Sequence, residues 1–232
     1  MKRLEIIERR SPNCDARGRD VDMIILHYTG MPTAKDAIDR LCDAAAKVSC
    51  HYLVDEDGAI YALVPEDLRA YHAGVSSWKG DADINARSIG IEIVNPGHEW
   101  GYRAFPDRQI ERVIALLDDI RARHSIPAGR VLGHSDVAPQ RKEDPGELFP
   151  WRRLAAAGLA IGPYQGAGDS SIAHEDALAA LRAIGYEAPD KAHAAALVAF
   201  QRRFCPSDLA QGLSPRTKAA IKWAAAAFQN FS

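Results

Sequence analysis

The stretch Asn85-Ala86-Arg87-Ser88-Ile89-Gly90-Ile91-Glu92-Ile93 decides how this chain is read. From Ser88 to Val94 it is short, apolar and rich in β-branched residues, so it reads as a strand. One carboxylate, Glu92, stands inside that apolar run. Upstream, Val21 to Leu26 is a second buried-strand pattern, interrupted by Asp22 and stopped by His27-Tyr28-Thr29-Gly30. His51 to Val54 and Ala59 to Val64 flank Asp55-Glu56-Asp57-Gly58, whose Asp-Gly step predicts a hairpin. Downstream, Val131-Leu132-Gly133 is a short strand leading into His134. Thr33, three residues before Asp36, predicts the capped start of a helix over 34–46. Ile110, Val113, Ile114, Leu117 and Ile120 predict another over 107–124. Residues 70–87 have little periodicity and read as a long surface loop. The fold class is therefore α+β, a mixed central β-sheet flanked by helices, the hairpin making the sheet mixed.

The 232 residues are 47% hydrophobic and 26% charged, an ordinary globular composition. A formal charge of −2 argues against nucleic acid as a partner held by bulk charge. The four cysteines, Cys14, Cys42, Cys50 and Cys205, include no CxxC pair, which excludes a thiolate zinc finger and a disulfide scaffold. No apolar run approaches the roughly 20 residues of a membrane span. The charged first ten residues lack a leader's apolar stretch, so a cytoplasmic protein is expected, with the periplasm as the alternative. The character changes at Gly162. Residues 163–172 are rich in turn formers and read as a linker between a domain over 1–162 and a small three-helix domain over 173–232. Leu178, Leu181 and Ile184 line the first of those helices. Leu197, Phe200 and Phe204 line the second, and Ser214-Pro215 opens the third.

His27, His134 and Asp144 are candidate metal ligands, because zinc accepts imidazole nitrogen and carboxylate oxygen and a catalytic site uses three protein ligands plus water. Spacing alone is weak support. Eight histidines supply many chance trios, and the plain reading of each is a hydrogen-bonded or solvated side chain. Taken alone, Glu92 reads as a carboxylate on the solvent face of a strand and Lys142 as a surface lysine.

The local sequences are more specific. Gly133-His134-Ser135-Asp136-Val137-Ala138-Pro139-Gln140-Arg141-Lys142-Glu143-Asp144-Pro145-Gly146 closely resembles the zinc loop of the zinc-dependent N-acetylmuramoyl-L-alanine amidases. This family shares its fold with phage T7 lysozyme and the peptidoglycan recognition proteins. Ile25-Leu26-His27-Tyr28-Thr29 resembles the family's first ligand strand, and Val48 to Val54 followed by Asp57-Gly58 its hairpin. Tyr71-His72-Ala73-Gly74 resembles its W-H-A-G segment with Tyr for Trp, and 85–92 its N-x-x-S-I-G-I-E signature. The blocks come in family order over about 20–150.

The resemblance implies one zinc ion per chain on His27, His134 and Asp144, with a fourth position for water. Zinc lowers the pKa of bound water toward about 7. It implies Glu92 as general acid–base, whose apolar strand would desolvate it and favour the protonated form. Lys142 would stabilise the developing oxyanion. His51, His72, Asn85 and Arg87 are substrate-binding candidates, Arg87 because a guanidinium matches a carboxylate bidentately. Each also has a structural reading: His51 at the sheet edge, His72 fixing the long loop, Asn85 capping a turn, Arg87 exposed before a strand. Family members that bind without cutting have commonly lost a ligand, and here the trio is complete. The C-terminal helices resemble the three-helix peptidoglycan-binding domain through 181–186, 195–201 and 212–217, with Ser214-Pro215 where an acidic residue is common. The expected substrate is a peptidoglycan fragment, a 1,6-anhydro-muropeptide, cut between muramic acid and L-alanine by a monomer. The alternatives are an envelope amidase acting on polymeric wall and a non-catalytic peptidoglycan receptor.

Overall fold

The computed structural model describes residues 4–187 and 193–231. The chain divides into two compact units, Met1–Gly74 with Asp83–Ile126, and Val75–Ala82 with Pro127–Ser232.

The first unit is built on strands β1 (Ile7–Glu8), β2 (Cys14–Ala16), β3 (Met23–Tyr28), β4 (Tyr52–Val54), β5 (Ile60–Ala62), β6 (Leu68–Ala70) and β9 (Ser88–Ile93). The order β1-β5-β4-β9-β3 runs through its main sheet. β4 and β5 are antiparallel around the expected Asp55–Gly58 turn, while β9 is parallel to both β3 and β4. The sheet is thus mixed, as expected. β2 and β6 form a separate antiparallel pair. β3 continues to Tyr28, past the expected stop at Leu26, because β9 pairs with it in register from Met23↔Ser88 to Tyr28↔Ile93.

Helices α1 (Ala34–Cys42), α2 (Ile84–Arg87), α3 (Gly97–Trp100) and α4 (Asp107–His124) complete the unit. Thr33 caps α1, its Oγ1 accepting the Asp36 N–H at 3.1 Å. The helix ends at Cys42, four residues before the expected end. The Asp43 carboxylate takes the Ala45 N–H at 2.9 Å, and that local turn replaces the next helical one. Ala37 and Leu41 of α1 pack with Cys50, Leu53, Leu63 and Val94. The long helix α4 has the expected bounds and buries Ile110, Val113, Leu117 and Ile120. Its buried Gln109 donates through Nε2 to the carbonyls of Val54 (3.1 Å) and Val94 (2.9 Å), pinning the helix to the ends of β4 and β9.

The expectation of a surface loop over 70–87 does not hold. The segment carries the last residue of β6, the hairpin β7 (Ser77–Trp78) and β8 (Asp81–Ala82), and α2; Ala73, Trp78 and Ile84 are fully buried. Its elements are only two to four residues long, too short for a periodic signal.

The second unit contains the β7–β8 hairpin, β10 (Val131–Gly133), α5 (His134–Val137), α6 (Trp151–Ala156), α7 (His174–Ile184), α8 (His193–Phe204) and α9 (Pro215–Asn230). The three helical patterns after residue 172 are therefore helices, with Ser214 capping α9 through the Thr217 N–H. Trp78 packs edge-on against Tyr186 and tilted against Phe228, while Phe200 stacks on Phe204. All four cysteines are free thiols. Among the described residues, no helix is long and apolar enough to cross a membrane.

Candidate functional site

Two of the expected residues are placed by strand register alone. His27 on β3 is the partner of Glu92 on β9. Register partners on adjacent strands project to the same face of the sheet, so the imidazole and the carboxylate share one face near the strands' C-terminal ends. His27 is buried and Glu92 half-buried. Behind them Cys50 is fully buried, its Sγ donating to the Tyr52 carbonyl at 3.2 Å. Burial, reinforced by the negative charge of Glu92, pushes its thiol well above the ordinary value, so Cys50 stays protonated and belongs to the core.

A hydrogen-bond chain fixes the tautomer of His27. Ser88 Oγ donates its single proton to the Ile84 carbonyl at 2.6 Å. It can therefore only accept from His72 Nε2, 3.1 Å away. In a neutral ring this leaves His72 Nδ1 with a lone pair, which accepts from His27 Nε2 at 3.0 Å. The proton of His27 then sits on Nε2, and Nδ1 keeps the lone pair a metal needs. Asn85 holds the His72 segment, its Oδ1 accepting the N–H groups of His72 (3.1 Å) and Ala73 (2.8 Å). Gly90 makes room for the ring, because a Cβ there would lie 2.4 Å from His72 Cγ.

His51 is fully buried. Its Nδ1 accepts the Gly90 N–H at 2.9 Å, so Nε2 carries the proton and donates to the Leu68 carbonyl at 3.1 Å. The Arg17 guanidinium lies 2.7 Å from the same nitrogen. Burial, with the adjacent Arg17 charge, lowers the His51 pKa to about 3. Arg87 is buried rather than exposed, and it grips Asp22 bidentately, with Nε to Oδ1 at 2.8 Å and Nη2 on Oδ2. Its fork is filled by a carboxylate of its own chain.

His134 opens α5 immediately after β10, and its Nδ1 lies 3.0 Å from Asp144 Oδ2. The Ser135 N–H donates to the Asp144 carbonyl at 2.9 Å, tying the second residue to the start of the short helix. Both side chains are buried. Lys142 is exposed in the intervening loop, its N–H bonded to the Ala138 carbonyl. Among the described residues, His27, His134 and Asp144 form a group able to hold a metal ion, with one ligand atom from each and all three atoms within 4.8 Å of one another. Two imidazoles and one carboxylate, all buried, are the donor set of a catalytic zinc with one position open.

Residues 17–147 match the family model described as N-acetylmuramoyl-L-alanine amidase. The chain belongs to this family. It is 37% identical over 177 residues to the N-acetylmuramoyl-L-alanine amidase AmiD of Escherichia coli K12, a match covering 68% of this chain and 63% of that protein. The match thus spans less than two thirds of that relative's length. It is 40% identical over 165 residues to the 1,6-anhydro-N-acetylmuramyl-L-alanine amidase AmpD of Citrobacter freundii, covering 63% of this chain and 86% of that one. Among solved structures, E. coli AmiD in complex with anhydro-N-acetylmuramic acid-L-Ala-D-γ-Glu-L-Lys superposes with a TM-score of 0.80 at 31% identity, over 94% of each chain. AmpDh3 of Pseudomonas aeruginosa, in complex with an anhydromuramic pentapeptide, gives 0.78 at 32% identity, over 88% of this chain and 90% of that one. Family membership and the α+β fold are therefore both established.

The sequence reading passed over two residues of this site. Ser88 stands in the sequence as the start of a strand and as the serine of the N-x-x-S-I-G-I-E signature, with no role of its own, although a hydroxyl at the base of an apolar run is a signal that it bonds to something. Arg17 precedes every recognised block and carried no local signal.

Proposed function

We propose that this chain is a zinc amidase that cuts the amide between the lactyl group of N-acetylmuramic acid and L-alanine in 1,6-anhydro-muropeptides. The observation that carries this reading is the buried His27–His134–Asp144 group with its ligand atoms within 4.8 Å, in a chain of the amidase family. The anhydro fragment is supported by the names of the AmpD relative and of the AmiD and AmpDh3 complexes.

Bound there, zinc would supply a Lewis acid that acidifies water and polarises the scissile carbonyl. Glu92, beside His27 on the adjoining strand, takes a proton from the attacking water and delivers it to the departing alanine nitrogen. The carbon–nitrogen bond breaks, giving a muramic carboxylate and a free amine. The ammonium of Lys142 meets the negative charge that grows on the carbonyl oxygen. His72 keeps its place beside His27 and, with Asn85, shapes the wall that faces substrate. His51 supports that wall from beneath through Gly90. Arg87 reaches a substrate carboxylate only by exchanging it for Asp22. The catalytic domain spans 1–162, with a linker over 163–172 and a three-helix peptidoglycan-binding-like domain over 173–232. The enzyme acts as a monomer, and a substrate shed from the wall fits a cytoplasmic location; fractionation placing it in the periplasm would move it to the envelope.

Metal analysis of the purified protein tests the reading. One zinc per chain is expected, lost in His134→Ala. A protein that takes up no zinc from a buffered solution overturns it.

A further inference from the structure

Asp136 is a carboxylate the chemistry above does not use. It sits two residues after His134 and is 1% exposed. Among the described residues, its carboxylate accepts three hydrogen bonds. Oδ2 accepts the Gly133 N–H at 2.8 Å, which ties the end of β10 to the third residue of α5. The same oxygen accepts from Arg203 Nη1 of α8 at 2.7 Å. Oδ1 accepts the hydroxyl of Tyr186, in the segment following α7. Arg203 is itself buried. Its Nη2 donates to the carbonyls of Val131 (3.2 Å) and Ile161 (2.9 Å), and its guanidinium lies 3.9 Å from the Trp151 ring centre.

These contacts converge on a helix of four residues. So short a helix has almost no cooperativity of its own, and its place depends on what surrounds it. It carries His134 at its first position, and its Ser135 N–H holds the Asp144 backbone. A shift of α5 therefore moves both of these ligands together. A buried Asp–Arg pair adds little net stability over apolar packing, but removing one partner strands a charge, so such pairs serve best as devices that fix a register.

We propose that Arg203 and Tyr186 are positioning residues for the metal ligands. The C-terminal helical segment is then part of the hydrolase's metal site, holding His134 and Asp144 in ligand geometry through Asp136, whether or not it also contacts glycan. This rests on the zinc reading above. Residues that hold ligands in place typically contribute about 10- to 100-fold to metal affinity.

The test uses the full chain in three variants. Tyr186→Phe keeps the ring and removes one donor. Arg203→Lys keeps the charge and loses the fork. Gln201→Met, on the same helix, removes buried bonds to Gly212 (2.7 Å) and Thr217 (3.0 Å) but none to Asp136. Zinc affinity is measured by competition with a chromophoric chelator, and amide exchange over 133–144 is followed in the metal-free protein. Tyr186→Phe is expected to weaken zinc about tenfold and Arg203→Lys more, both with faster exchange over 133–144. Gln201→Met is expected to lower the thermal midpoint with zinc affinity and that exchange unchanged. Wild-type affinity in both Asp136-directed variants, or equal weakening in Gln201→Met, overturns the proposal. If the wild type takes up no zinc, the functional reading falls; faster exchange over 133–144 in Tyr186→Phe still supports the positioning role, and unchanged exchange overturns it.

Discussion

A histidine offers a metal only the nitrogen that carries no proton, so the fate of one proton on His27 matters more than the residue's position. The Ile84–Ser88–His72–His27 chain places that proton on Nε2. Ser88→Ala removes the hydroxyl that orients His72 and is expected to lower zinc affinity about 10- to 100-fold, read by chelator competition. Affinity equal to wild type would contradict the chain. Glu92→Gln keeps the shape of the side chain and removes its basicity. Its kcat on an anhydro-muropeptide is expected to fall about 10²- to 10⁴-fold, with zinc content unchanged by metal analysis. Gly90→Ala puts a methyl into the His72 ring and is expected to cost about 1–3 kcal/mol in a urea unfolding series. The motif residues could be read from the sequence because the blocks around His27, Glu92 and His134 are distinctive. The proton chain could not, because it depends on which strand lies beside which and on how a single hydroxyl is spent.

Long elements were legible and short ones were not. The eighteen-residue helix α4 repeats its apolar stripe over several turns and has the bounds its periodicity implies. The two-residue strands β7 and β8 have no period to detect, and their burial comes from partners distant in sequence. Where elements meet, buried polar groups fasten them, and these set the acid behaviour. His51 joins β9 to the first residue of β6 and binds no proton when folded until about pH 3, whereas the unfolded chain takes one up near 6.5. The unfolded state then holds more protons over that window, so stability falls as pH is lowered through it. Glu66 adds to the loss further down. Its burial alone would raise its pKa, but bonds from Arg123, His124 and Tyr52 outweigh this and hold it at about 2, so its stabilisation is lost as pH drops below about 4.5. Urea midpoints between pH 7 and 3.5 are expected to decline continuously, beginning near 6.5. A flat profile down to pH 5 would contradict the neutral buried His51.

The amidase-family match ends at residue 147, while the likeness to AmiD covers 94% of this chain and so extends into the C-terminal helices. Three helices are legible there but the contact of Arg203 and Tyr186 with Asp136 is not, since an arginine on a helix and a tyrosine just past one read as ordinary until their common partner is known. The absence of paired cysteines excluded a thiolate finger yet left zinc open, because two imidazoles and an aspartate are a complete catalytic donor set. The most direct test follows an anhydro-N-acetylmuramyl tripeptide by mass spectrometry with the protein as purified, after chelation, and after one equivalent of zinc is restored. The account predicts free anhydro-N-acetylmuramic acid and intact peptide in the first and third samples and uncut substrate in the second. Undiminished cleavage in the chelated sample, or no cleavage by protein carrying one zinc per chain, would contradict it.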